Sequence, residues 1–115
     1  MSDEVLGQGL LLQAGLFAAL GDVTRLSLVA RLCRASRQSI SQLAEGTGLT
    51  RQAVTKHLRV LETAGLAKRQ RRGRETLFEL DAGPITTMTE YLDLVSAQWG
   101  RKLGDLEAFL DGPGS

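Results

Sequence analysis

The feature that most limits how this chain can fold lies near its C-terminus. Ile85, Met88, Leu92, Val95, Trp99, Leu103, Leu106 and Leu110 follow one another at intervals of three or four residues, which places them on one stripe of a long helix. Pro84, with no N–H to leave unsatisfied, suits the first helical position. A chain of 115 residues has room for one compact core. A stripe of about seven turns exceeds what such a core can cover, so a partner helix is expected against it.

Upstream, Leu6, Leu10, Phe17 and Leu20 recur at near-helical spacing, and Gly21 followed by Asp22 reads as a helix stop and then an N-cap. In the second helix Leu26, Val29, Ala30 and Cys33 form the apolar stripe, which makes Cys33 a small core residue. Ser39-Ile-Ser-Gln42 has the form of a capping box and opens a short third helix through Ala44 and Glu45. Gly46-Thr-Gly48 forces a turn. Thr50 then caps a fourth helix whose Val54, Leu58 and Leu61 face the core while Gln52, Lys56, Arg59 and Thr63 point elsewhere, and Gly65 ends it. Two short helices joined by a glycine turn, the second with a polar outer face, make a helix-turn-helix. Two strands follow, Ala67–Arg71 and Glu75–Leu80, about the turn Arg72-Gly-Arg74, and predict a β-hairpin. The expected architecture is mainly α with a small β-hairpin, α-α-α-α-β-β-α, in a single domain over residues 1–115. Its ordered core spans about residues 10–110, and 111–115 form a flexible tail.

Net charge is only +1, but its distribution is uneven. Arg51, Lys56, Arg59, Lys68, Arg69, Arg71, Arg72 and Arg74 stand against a single acid, Glu62, within one short stretch, so the remainder of the chain is acidic. These bases coincide with the outer face of the fourth helix and with the hairpin, where they can neutralise DNA phosphates. The N-terminus of the fourth helix adds free N–H groups and a partial positive charge.

Other classes of function are poorly served. One His, one Cys and no paired carboxylates on a common face leave no nucleophile, base and orienting group for an enzyme. No G-x-S-x-G elbow or phosphate-cradling loop is present. With Cys33 as the sole thiol no internal disulfide can form, which suits a reducing cytoplasm. The apolar N-terminal run is interrupted by Gly7, Gln8, Gly9, Gln13 and Gly15, unlike a signal peptide or a membrane span.

Leu16-Phe-Ala-Ala-Leu-Gly-Asp-Val-Thr-Arg25, Leu49-Thr-Arg-Gln-Ala-Val-Thr-Lys-His-Leu58, Leu61, Ala64-Gly-Leu66 and Gly73-Arg74 together resemble the ArsR-type winged-helix repressors, over about residues 10–110. The resemblance implies a winged helix-turn-helix and an obligate homodimer built by the first and last helices. Its recognition helices would enter successive major grooves while the wings touch flanking backbone. Many members sense metals through a cysteine pair in the third helix, where this chain has Ser39 and Ser41, poor ligands for soft metals. Another family site uses Asp and His on the last helix, and no His follows His57. The chain therefore resembles a branch without a metal site, and no metal or other cofactor is expected. Position 23 is Val where the family usually has Pro.

The candidate DNA-binding residues are Ser39, Ser41, Thr50, Arg51, Gln52, Thr55, Lys56, His57, Arg59, Arg69, Arg71, Arg72 and Arg74. Among them Arg51, Gln52, Thr55 and Lys56 have side chains suited to base edges. His57 sits beside core positions, where a structural hydrogen bond and a phosphate contact are both open to it. The candidate dimer contacts are Leu10, Phe17, Met88, Leu92, Val95, Trp99, Leu103 and Leu106. Double-stranded DNA and a second copy of the chain are the expected partners, with no membrane, and an effector of small-molecule or protein nature is left open. The competing readings are a winged-helix module that binds protein, which would need an apolar patch where this surface is cationic, and a metal-responsive repressor with a different site.

Overall fold

The computed structural model describes residues 3–110, with side chains from residue 9 onward. The tail expected at 111–115 and the side chain of Leu6 lie outside the described residues. The chain divides into two compact units, one reaching to Ile85 and one beginning at Thr86.

The first unit runs α1 (Asp3–Leu20), α2 (Val23–Arg34), β1 (Gln38–Ser39), α3 (Ile40–Ala44), α4 (Arg51–Thr63), β2 (Ala67–Arg72) and β3 (Glu75–Leu80). Its helix boundaries follow from side chains that satisfy backbone groups a helix end leaves open. Asp22 accepts the N–H of Arg25 at 3.0 Å and starts α2. Ser39 and Gln42 form the reciprocal capping box of α3, with Ser39 Oγ taking the N–H of Gln42 and Gln42 Oε1 taking that of Ser39. Thr50 Oγ1 accepts the N–H of Ala53 at 3.0 Å and starts α4. At the other end of α4, Leu66 N–H reaches the Leu61 carbonyl at 2.8 Å and Gly65 N–H that of Glu62 at 2.9 Å. This is a Schellman closure, and it needs the left-handed backbone that Gly65 adopts at φ +80°.

The core is aliphatic. Leu16 and Ala19 of α1, Leu28 and Leu32 of α2, Leu43 of α3, Val54, Leu58 and Leu61 of α4, then Leu66, Ala67 and Phe78, are all buried. The α4 stripe stands as the sequence predicts. The α2 stripe does not: Leu28 and Leu32 face inward, while Leu26, Ala30 and Cys33 are exposed and Val29 is half-buried. Two arginines of α2 accompany this rotation. Arg25 donates to the carbonyls of Ala18 and Ala19 at the end of α1, and Arg31 to those of Leu43 and Glu45 at the end of α3. Both flank the Leu28–Leu32 line and add donors to carbonyls at helix C-termini, where the backbone leaves acceptors open.

The sheet has three antiparallel strands in the order β1-β3-β2. The hairpin register runs from Ala67 opposite Leu80 to Arg72 opposite Glu75, leaving Gly73 and Arg74 as a two-residue loop. Gly73 takes φ +62° at the first loop position, where hairpin turns of the II′ kind favour glycine. Strand β1, unanticipated from sequence, pairs Gln38 with Phe78 and Ser39 with Leu77.

Helix α5 spans Ala82–Leu110 and makes up nearly all of the second unit. It starts two residues before Pro84, because Asp81 Oδ1 accepts the N–H of Gly83 at 3.0 Å and so supplies the cap. Met88 is buried, whereas Leu92, Leu94, Val95, Trp99, Leu103, Leu106, Phe109 and Leu110 are exposed.

Candidate nucleic-acid interface

Helix α4 turns Val54, Leu58 and Leu61 inward with no exposed surface, and helical geometry then fixes what points outward. Arg51, Gln52, Lys56 and Arg59 are exposed, with Thr55 half-buried beside them. With Ala53 and with Ile40 of α3, these residues line one open, shallow groove. A second groove is lined by Ser39, Ile40 and Ser41 at the head of α3, Arg51 at the head of α4, and Arg74, Glu75 and Thr76 of the hairpin. Ile40 and Arg51 belong to both, so one continuous surface leads from the outer face of α4 to the hairpin.

The surface is cationic, and much of its charge is unspent. Among the described residues, the side chains of Arg51, Gln52, Lys56, Arg59, Arg72 and Arg74 have no hydrogen-bond or ion-pair partner. Arg71 makes only a 3.5 Å contact from Nε to the carbonyl of Gly73. No acid lies in the first turn of α4, where the open N–H groups favour an anion.

Several candidates are occupied otherwise. Thr50 and Ser39 spend their oxygens on the caps of α4 and α3. The Thr55 hydroxyl donates to the carbonyl of Arg51 at 2.8 Å, leaving its methyl and lone pairs for a ligand. His57 is half-buried, with Nδ1 3.4 Å from an Arg25 guanidinium nitrogen. This is the structural alternative for His57. At the base of the hairpin, Lys68 pairs with Asp81 at 3.3 Å and Arg69 with Glu62 at 2.7 Å. Hydrogen bonds from Arg69 to the Glu62 carboxylate hold the guanidinium above its ordinary value. The Gly83 N–H, and then Lys68, lower the Asp81 carboxyl, and the Arg25 N–H lowers that of Asp22.

Contributors that escape the sequence pattern include Ile40, which forms part of both grooves, Ala53, Glu75 and Thr76, which line one groove each, Arg25, which holds His57 and the end of α1, and Glu62. Glu62 left a signal in the sequence, as the one acid among the eight bases from Arg51 to Arg74.

Of the candidate dimer contacts, Leu92, Val95, Trp99, Leu103 and Leu106 are exposed, as is Leu10 of α1, and Phe17 is half-buried. Met88 is buried. Leu11 and Leu12, 75% and 72% exposed, add apolar surface that the α1 spacing did not single out.

Residues 20–70, which contain α2 to α4 and the start of the hairpin, match the family described as "Helix-turn-helix domain". The HTH-type transcriptional regulator Rv2034 of Mycobacterium tuberculosis is 31% identical over 96 residues, covering 84% of this chain and 86% of that protein. A solved ArsR-like transcriptional regulator from Rhodococcus sp. RHA1 superposes with a TM-score of 0.76 at 34% identity, covering 85% of this chain and 92% of that one. The chain belongs to the ArsR-like family of helix-turn-helix transcriptional regulators. It is a transcriptional regulator with a helix-turn-helix DNA-binding domain, and the hairpin is the wing of the family's fold. A solution structure from Mycobacterium bovis, described as a homodimeric winged helix-turn-helix DNA-binding domain, shares this fold with a TM-score of 0.66 at 23% identity, covering 85% of this chain and 88% of that one. This regulator has no helix among its described residues long and apolar enough to cross a membrane. Nor do those residues contain a group of three or more His, Cys, Asp or Glu side chains placed to hold a metal ion.

Proposed function

We propose that this regulator acts as a cytoplasmic homodimer that binds an inverted-repeat operator in double-stranded DNA and represses transcription, without catalysing a reaction. The observation that carries the reading is the continuous cationic surface from α4 to the wing tip. An α-helix fits the major groove. With α4 there, Gln52 and Lys56 near its N-terminus are suited to base edges, Arg51 and Arg59 to bases or backbone, and Ser41, Arg71, Arg72 and Arg74 to flanking phosphates. A second copy is the occupant proposed for the exposed stripe of α5 and for the Leu10–Leu12 surface of α1. A homodimeric neighbour with the same fold supports this, as does an apolar helix face longer than a single chain covers.

The test compares wild type, Gln52→Ala and Arg72→Ala on two duplexes across a salt series, one selected by wild type from a random pool and one scrambled from it. Gln52→Ala should cost about 1–3 kcal/mol on the selected duplex and little on the scrambled one. Arg72→Ala should weaken both and reduce the salt slope by about one unit for each phosphate no longer neutralised. Equal losses on both duplexes for Gln52→Ala would remove base reading from that residue, and no binding by wild type at low salt would overturn the DNA reading.

A further inference from the structure

Within the basic stretch, two cations at the base of the wing are tied down while those at its tip are free. The tie at Arg69 is the more specific. Its Nε donates to Glu62 Oε2 at 2.8 Å and its Nη2 to Oε1 at 2.7 Å, the two-pronged geometry that fixes a guanidinium plane. The same guanidinium lies over the ring of Phe78, 5.4 Å from its centroid. Phe78 is a fully buried core residue and faces Arg69 across the β2–β3 ladder. Glu62 belongs to the last turn of α4, and the Schellman closure at Gly65 carries the backbone from α4 into β2. The pair therefore braces the recognition helix against the wing across the turn that joins them.

We infer that Arg69 is a positioning residue that sets the angle of the wing to α4 through Glu62 and Phe78, and is not one of the cations that grip DNA. The inference rests on α4 and the wing being the DNA-binding surface. Leverage makes the brace consequential. A six-residue strand is about 20 Å long, so a swing of about 10° at its root moves the tip by about 3 Å, enough to break a hydrogen bond to a phosphate. Arg72 and Arg74 sit at that tip.

The sign of one substitution separates a brace from a phosphate contact. Glu62→Gln removes an anion from beside the interface and frees Arg69, so electrostatics alone makes it bind DNA more tightly. A broken brace makes it bind more weakly, by about fivefold or more. Arg69→Lys keeps the charge but gives up the two-pronged grip, and should weaken binding to the same degree. Adding Arg72→Ala to Arg69→Lys should cost much less than Arg72→Ala costs in wild type, because the tip has already swung away from its phosphate. The probe is the duplex selected by wild type, read by fluorescence anisotropy, with circular dichroism establishing that each variant is folded. Unchanged or tighter binding by Glu62→Gln, unchanged binding by Arg69→Lys, or full additivity with Arg72→Ala would overturn the inference while leaving the DNA reading intact. Failure of wild type to bind any duplex would defeat both.

Discussion

Replacing Trp99 by Asp should separate the proposed dimer into monomers. Trp99 is 61% exposed on the α5 stripe. A tryptophan buries up to about 150–250 Å², so covering its exposed part removes on the order of 120 Å² of mostly apolar surface from water, or about 3 kcal/mol at 25 cal/mol per Å². Two-fold symmetry applies the change in both copies, for about 6 kcal/mol per dimer. An unpaired carboxylate left in the seam adds a desolvation cost. Rearrangement of the neighbouring leucines recovers part of the loss, so the dimer dissociation constant should rise by about three orders of magnitude. Sedimentation velocity over a concentration series from ~0.1 to 100 µM reads this directly, with far-UV circular dichroism to show that the helices persist. A folded Trp99→Asp protein that still sediments as a dimer at 1 µM would show that the α5 stripe is not the interface.

Leu58→Ala removes a fully buried side chain from α4 and should lower stability by about 2–5 kcal/mol in urea unfolding; a loss below about 1 kcal/mol would mean that the core beneath α4 is loosely packed. The Asp22 and Asp81 carboxyls are lowered from 3.8 by the N–H groups they cap. Their contribution to stability is therefore complete above about pH 5 and is lost as the pH falls through 3.8 toward the lowered folded values. Urea midpoints between pH 2.5 and 7 should fall on the acid side, and less steeply in Asp22→Asn, whereas an identical acid limb in that variant would contradict the cap's role. Stoichiometric zinc, cadmium or arsenite should leave operator affinity unchanged, given serines at positions 39 and 41 and no histidine after His57; a tenfold loss reversed by chelator would refute this.

Local chemistry was legible where one residue type meets one backbone demand. Ser39 with Gln42, Thr50, Gly65 and Gly73 each mark a cap, a closure or a turn, and the structure uses them in those ways. The α4 stripe was legible because Val54, Leu58 and Leu61 line up at helical spacing, with Val60 the one large apolar residue of α4 off their face. Helix α2 was not, because Leu26, Leu28, Val29, Ala30, Leu32 and Cys33 are compatible with two faces; the buried one is flanked by Arg25 and Arg31, which reach carbonyls at the ends of α1 and α3. Strand β1 is too short to carry a period. At the interface, residue type identified the cations but not which of them are spent. Arg69 and Arg72 look alike in sequence, and only the fold brings Glu62 to one of them.

The most direct test of the account is a hydroxyl-radical footprint of wild type on the duplex it selects. Two α4 helices related by a two-fold axis should protect two half-sites about 34 Å apart, centre to centre, with mirror-related patterns on the two strands. The wings should add protection at the outer flanks, and Arg72→Ala should remove those flanks while leaving the two central patches. A single unpaired patch, or protection without two-fold symmetry, would contradict a dimer that reads an inverted repeat through α4.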